Sequence, residues 1–157
     1  MDLDVFSKRL EELMDLEGYS IRALSKEIGA DRKSIRLWLS GRYYPKCKYL
    51  IKLSICFKVR IDYLLGLEAT MEDVYYSKDV EVISMAEVQQ SLSATLSAFM
   101  AEKSITKYKL AKDLKMDAKS MTKWLTSGSM PEVGKLIKLS QVMGLFIQKL
   151  LGLGYFD

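Results

Sequence analysis

The sequence predicts an all-α protein built from two tandem five-helix domains joined by a short acidic connector. Three observations lead there. Sliding the chain against itself by 86 positions aligns residues 6–67 with 92–153 without a gap. Within each copy the apolar residues recur at helical spacing, and Gly, Pro and short polar capping residues interrupt that spacing at matching places. A repeat of about 60 residues is domain-sized, longer than the 20–50-residue periods of solenoids. The divisions are residues 1–67, a connector at 68–85, and a second domain at 86–157.

The first helix is read from Phe6, Leu10, Leu13 and Leu16, a stripe at i, i+4, i+7 and i+10 that Gly18 interrupts. Ser20 is placed to cap a second helix, "IRALSKEI", which buries Ala23, Leu24 and Ile28 and ends at Gly29 in a left-handed cap. Asp31 caps a third, "RKSIRLWL", with Ile35, Trp38 and Leu39 inward and Gly41 closing it. Pro45 opens a fourth, in which Leu50, Ile51, Leu53, Ser54 and Phe57 point largely inward, and "IDYLLGL" supplies a short fifth. The second copy repeats the plan with Thr106 and Asp117 as caps and Pro131 as the starter. Leu10 recurs as Leu96, Met14 as Met100, Leu24 as Leu110 and Trp38 as Trp124; "LIKLS" and "LLGL" each occur twice. In the connector, "DVEVIS" alternates like a strand that would need a partner.

The net charge of +4 hides an uneven distribution. Residues 1–67 carry 13 Lys+Arg against 9 Asp+Glu, residues 68–85 carry 1 against 5, and residues 86–157 carry 10 against 6, so two basic blocks flank an acidic connector. The two cysteines, Cys47 and Cys56, have neither a further thiol nor any histidine to work with, so they are read as reduced thiols in a cytoplasmic protein, with no metal and no cofactor expected. The acidic N-terminus is wrong for a secretory signal, and Lys52, Lys58, Arg60 and Asp62 interrupt the greasiest stretch, so no membrane association is expected.

One phrase is stated twice: "DRKSIRLWLSGRYYP" at 31–45 and "DAKSMTKWLTSGSMP" at 117–131. The stretch "LSKEIGADRKSIRLWLSGRYYP" (24–45) resembles the helix-turn-helix of the Cro/C1-type (phage-repressor, XRE-like) family through Ala23-Leu24, Gly29, Ile35, Trp38, Gly41 and Pro45. The likeness covers residues 5–67 and, more weakly, 91–153. It implies a lambda-repressor-like fold whose third helix enters the major groove of double-stranded DNA, with the N-terminus of the second helix on phosphate. Mapped onto this chain, the resemblance makes Arg32, Lys33, Arg36 and Leu37 base-facing, and Ser20, Ile21, Arg22, Arg42, Tyr43, Tyr44 and Lys46 phosphate-facing. It also implies a homodimer and a bacterial or phage-encoded, nucleoid-associated protein. Residue chemistry points the same way. Residues 31–48 hold six Lys/Arg and one acid on a short helix and loop whose apolar side is already committed, and Arg suits guanine while Lys, Arg and Tyr suit phosphate.

The second copy has lost most of that charge. Residues 117–134 hold two lysines and two acids; Arg32, Arg36, Arg42, Tyr43 and Tyr44 become Ala118, Thr122, Gly128, Ser129 and Met130, and the turn glycine becomes Lys115. Lys107, Lys119, Thr122 and Lys123 stay at positions where DNA contact is conceivable. Two readings stand: a weaker DNA reader, or a retained scaffold whose surface serves self-association or another partner.

No enzyme is expected, because the chain has no histidine and no glycine-rich phosphate loop, and "SITK" (104–107) falls on a capping turn. The leading function is therefore a sequence-specific DNA-binding transcriptional regulator, a repressor. Its rival is a protein-interaction module, antitoxin- or inhibitor-like, which would display aromatic and aliphatic anchors where this chain has Arg32, Lys33 and Arg36. Nothing in the sequence names an operator or a small-molecule effector.

Overall fold

The computed structural model describes residues 3–68, 84–126 and 128–153. All regular structure among them is helical, and no described helix is long and apolar enough to cross a membrane. The chain divides into two compact units, and each is best followed by itself. The first holds α1 (Leu3–Glu17), α2 (Ile21–Ile28), α3 (Arg32–Leu39), α4 (Cys47–Phe57) and α5 (Ile61–Leu64). The second holds α6 (Met85–Lys103), α7 (Lys107–Asp113), α8 (Ala118–Leu125), α9 (Val133–Met143) and α10 (Ile147–Leu150). The strand-like alternation over 79–84 lies outside the described residues except for Ser84, which caps α6 by accepting from the Glu87 N–H at 3.2 Å. The aromatic pairs at 75–76 and 155–156 lie outside them as well.

Capping residues set the helix ends where the sequence places them. Ser20 accepts from the Ala23 N–H at 3.0 Å and Asp31 from the Ser34 N–H at 2.7 Å. In the second unit Thr106 accepts from Lys109 at 3.2 Å and Asp117 from Ser120 at 2.8 Å. Each bond satisfies an N–H that has no partner inside its own helix. The N–H bonds from Ser34 and Ser120 favour the ionised caps, so both aspartates titrate below the usual carboxylate range. Gly29 ends α2 at φ 75°, as its position predicts.

Four local expectations need correction. Pro45 and Pro131 do not open α4 and α9; each stands one residue before the cap, with Lys46 and Glu132 as extended N-caps. Leu16 is 68 % exposed, because α1 has passed the end of its packing surface by then. Ala23 is also exposed, and Ala30 in the following turn is buried in its place. Leu39 and Met100 are half-buried where a full core position was expected.

The repeat extends into the packing. In the first unit α1 contacts α3 and α5, α2 contacts α3 and α4, and α4 contacts α5; in the second α6 contacts α8 and α10, α7 contacts α8, and α9 contacts α10. Leu10, Leu24, Leu50, Leu53 and Leu64 are fully buried, as are their counterparts Leu96, Leu110, Leu136, Leu139 and Leu150. Burial of such side chains is the main favourable contribution to each unit, about 1.5–3 kcal/mol apiece before entropy is counted. A polar tie recurs too: the Ser7 hydroxyl donates to the Leu39 carbonyl, and Ser93 does the same to Leu125, linking the first helix to the end of the third in each unit. The repeated "LLGL" has a steric origin. A Cβ on Gly66 would lie 2.8 Å from Val5 Cγ1, and one on Gly152 would collide with Ser91.

Lys115 occupies the turn that Gly29 makes in the first unit, and it does so at φ 55°. The left-handed region crowds a Cβ at a cost of roughly 1–2 kcal/mol. Lys115→Gly is therefore expected to stabilise the second unit by about 1 kcal/mol, read as a higher urea midpoint at unchanged slope. A lower midpoint would show that the lysine side chain itself holds the turn.

Candidate nucleic-acid interface

α3 is amphipathic over its two turns. Ile35 and Trp38 are buried, and Trp38 lies with its ring 5.8 Å from that of Tyr49. The remaining surface exposes Arg32, Lys33 and Arg36, with Leu37 half-buried beside them. These four positions, i, i+1, i+4 and i+5, lie along one side of a helix. Gly41 then turns the chain at φ 75°, and a Cβ there would stand 3.1 Å from Asp4 Oδ1, so the backbone approaches α1 closely. The loop that follows exposes Arg42 and Lys46, and Tyr43 at 60 %.

At the start of α2, Ser20 and Arg22 are exposed and Ile21 is half-buried. The Ser20 hydroxyl oxygen accepts the cap bond, which leaves its proton available to an incoming acceptor. The first unit thus puts a helix N-terminus, a cationic helix face and a cationic loop on consecutive elements. Among the described residues no carboxylate forms an ion pair with Arg22, Arg32, Lys33, Arg36, Arg42 or Lys46; the pairs present are Arg60–Glu68 at 2.8 Å and Lys109–Asp113 at 3.1 Å. Asp31, the single acid of this segment, has a carboxylate oxygen engaged in capping α3. An unneutralised cationic surface of this kind carries a positive potential suited to a polyanion.

Comparison with family models, with curated proteins and with solved structures finds no match to the chain. The site is accordingly argued from its own chemistry.

Tyr44 departs from the phosphate-facing role. Its ring stacks on Phe6 with centroids 5.8 Å apart, and its hydroxyl is shielded from solvent, so it cannot meet a phosphate oxygen without repacking. Tyr43 and Tyr44 are adjacent in a helix-free segment, and only one of them can face the core. Lys48, the last cation of this segment, is exposed, with its ammonium 4.8 Å from the centre of the Tyr49 ring.

The second unit arranges its equivalents differently. Lys119 and Lys123 are exposed on α8, but Lys107 donates from Nζ to the Thr122 hydroxyl at 3.1 Å, and that hydroxyl donates to the Ala118 carbonyl at 2.9 Å. Lys107 and Thr122 are therefore engaged with each other, and the ammonium keeps further N–H donors. Nothing in the sequence marks this link, because the partners are 15 residues apart on different helices. Tyr108, at 65 % exposure, takes the place that Arg22 holds in the first unit.

Proposed function

We propose that the chain is a sequence-specific double-stranded DNA-binding transcriptional regulator, a repressor, that reads the major groove with α3. The observation that carries this reading is the exposed face of Arg32, Lys33 and Arg36, none of it paired with a carboxylate among the described residues, on a helix whose other side is buried. Surfaces without such a role usually intersperse both signs of charge. In this reading α2 and α3 form a helix-turn-helix in which Arg32 and Arg36 address base edges through their forked donors. Arg22, Arg42, Tyr43, Lys46 and the Ser20 hydroxyl hold phosphate.

The two units divide the work. α8 has Ala118 and Thr122 where α3 has Arg32 and Arg36, so it is a poor reader. The second unit exposes Val142 at 42 % and Phe146 at 46 %, where the first has Cys56 and Arg60. Exposed apolar side chains in place of a cation favour self-association over DNA contact. The regulator is thus a homodimer joined mainly through the second unit and the connector. A protein-binding module remains the rival, and the half-buried Leu37 on α3 and the exposed Tyr43 in the loop after it are the features that would serve it.

Selection of bound sequences from random duplex DNA by the full-length protein tests the reading directly. Enrichment of a common motif is expected, and its absence at low salt would overturn it. On the enriched site Arg32→Ala or Arg36→Ala should each cost about 1–3 kcal/mol and relax preference at one base pair, whereas Lys46→Ala should weaken all sequences alike. Retention of full discrimination by both arginine variants would remove α3 from the groove.

A further inference from the structure

In the second unit the turn before α8, α8 itself and the loop into α9 border an open surface concavity of about 560 Å³. That volume falls within the roughly 300–1,000 Å³ of small-molecule sites. Lys115, Lys123 and Lys135 line it together with Trp124, Ser129 and Met130, and the carboxylates Asp117 and Glu132 line it as well. Among the described residues, none of the three ammonium groups has an ion-pair or hydrogen-bond partner.

The equivalent positions in the first unit show what is unusual here. Lys115, Lys123 and Lys135 stand where that unit has Gly29, Leu37 and Tyr49, and Ser129 and Met130 stand where it has Tyr43 and Tyr44. Positive charge has not simply been lost from the second copy. It is missing at Ala118, Thr122 and Gly128, is kept at Lys119, and has been gained at Lys115, Lys123 and Lys135 around the concavity, while two bulky tyrosine rings have given way to smaller side chains. The opposing change is Lys46 to Glu132, and the remaining acid, Asp117, caps α8 through Ser120. Lys115 holds a left-handed conformation at φ 55° where the first unit has Gly29; Lys58 and Ser104 hold it too, so what marks Lys115 is its place on the concavity.

We propose that this concavity binds a small organic anion carrying a flat ring. The lysines hold the phosphate or carboxylate, and the ring lies against Met130, with thioether contact, and against the small exposed part of the otherwise buried Trp124. A finite concave site suits a small ligand. An extended polyanion is better served by an open face like that of α3. The inference is independent of DNA binding by the first unit, since no residue of that unit takes part.

The test is amide chemical-shift mapping of the full-length protein with two probes, adenosine monophosphate and 2-hydroxybenzoate, which present the anion as phosphate and as carboxylate. Inorganic phosphate and adenosine serve as separated halves. At least one probe is expected to shift amides of Lys115, Lys123, Ser129 and Lys135, and to bind at least about tenfold more tightly than either half. Lys115→Gly with Lys123→Leu, which restores the first unit's residues, should weaken that binding at least about tenfold. Because Lys115→Gly relieves the left-handed strain, an unchanged or raised urea midpoint in the double variant separates this loss from unfolding. The proposal is overturned if neither probe shifts these amides, or if the shifts persist undiminished in the double variant. It is equally overturned if duplex DNA alone shifts them and neither probe competes.

Discussion

Duplex DNA held by the full-length protein is expected to be released steeply as salt rises, by roughly a thousandfold in affinity between about 50 and 200 mM. The magnitude follows from the first unit's surface. Arg22, Arg42 and Lys46 are exposed and unpaired with carboxylates among the described residues, and a dimer would present the set twice, for six phosphate contacts. Each phosphate neutralised releases counterion, so the logarithm of the binding constant falls with log salt at about 0.9 per contact. Titration of a labelled duplex at several salt concentrations measures the slope. Removing one of these cations, as in Lys46→Ala, should lower it by about one contact per chain. A flat response would mean that the cationic face is only a solvated surface. Acidification within the carboxylate range should not mimic the salt effect through Asp31, because its lowered titration keeps the α3 cap ionised until the pH falls through that lowered value.

A fragment of residues 1–68, which keeps the Arg60–Glu68 pair, is expected to fold yet bind the selected operator roughly 10²–10⁴-fold more weakly than the full chain. The first unit has its own buried core, from Phe6 and Leu10 through Leu64, so folding does not require the second. Affinity does. A single short helix reads too few base pairs, whereas a two-fold dimer engages half-sites about one helical turn, roughly 34 Å, apart. Full-length protein should therefore sediment as a dimer and protect a palindrome. Phe146→Arg, which restores the charge found at Arg60, should weaken both assembly and operator binding. A monomer that protects two unlike half-sites, one of them lost on Lys119→Ala and Lys123→Ala, would instead make both units readers.

The features legible in advance are those governed by neighbours along the chain. Helical periodicity, the caps at Ser20, Asp31, Thr106 and Asp117, and the left-handed turns at Gly29 and Lys115 all depend on residues within about one turn. The gapless repeat added long-range information, because two copies with the same anchors imply the same packing. The cationic surface of α3 was legible for a related reason: once Ile35 and Trp38 are committed to the core, helical geometry exposes Arg32, Lys33 and Arg36.

By itself, then, the sequence determined the all-α class, the limits of most helices to within a residue or two, and which side of α3 faces outward. Only the tertiary structure decided the fate of side chains whose partners come from other elements. Tyr43 and Tyr44 are adjacent and chemically identical, yet the ring of Phe6 on α1 claims one and leaves the other in solvent. Lys107 reaches from α7 to Thr122 on α8, a link that neighbours along the chain do not reveal. The lysines around Trp124 are scattered over 20 positions and gather only because the α8–α9 loop folds back across the turn at Lys115. Local rules follow from backbone geometry over a few residues. Which groups share a surface follows from how distant segments pack, and a single chain does not display that along its length.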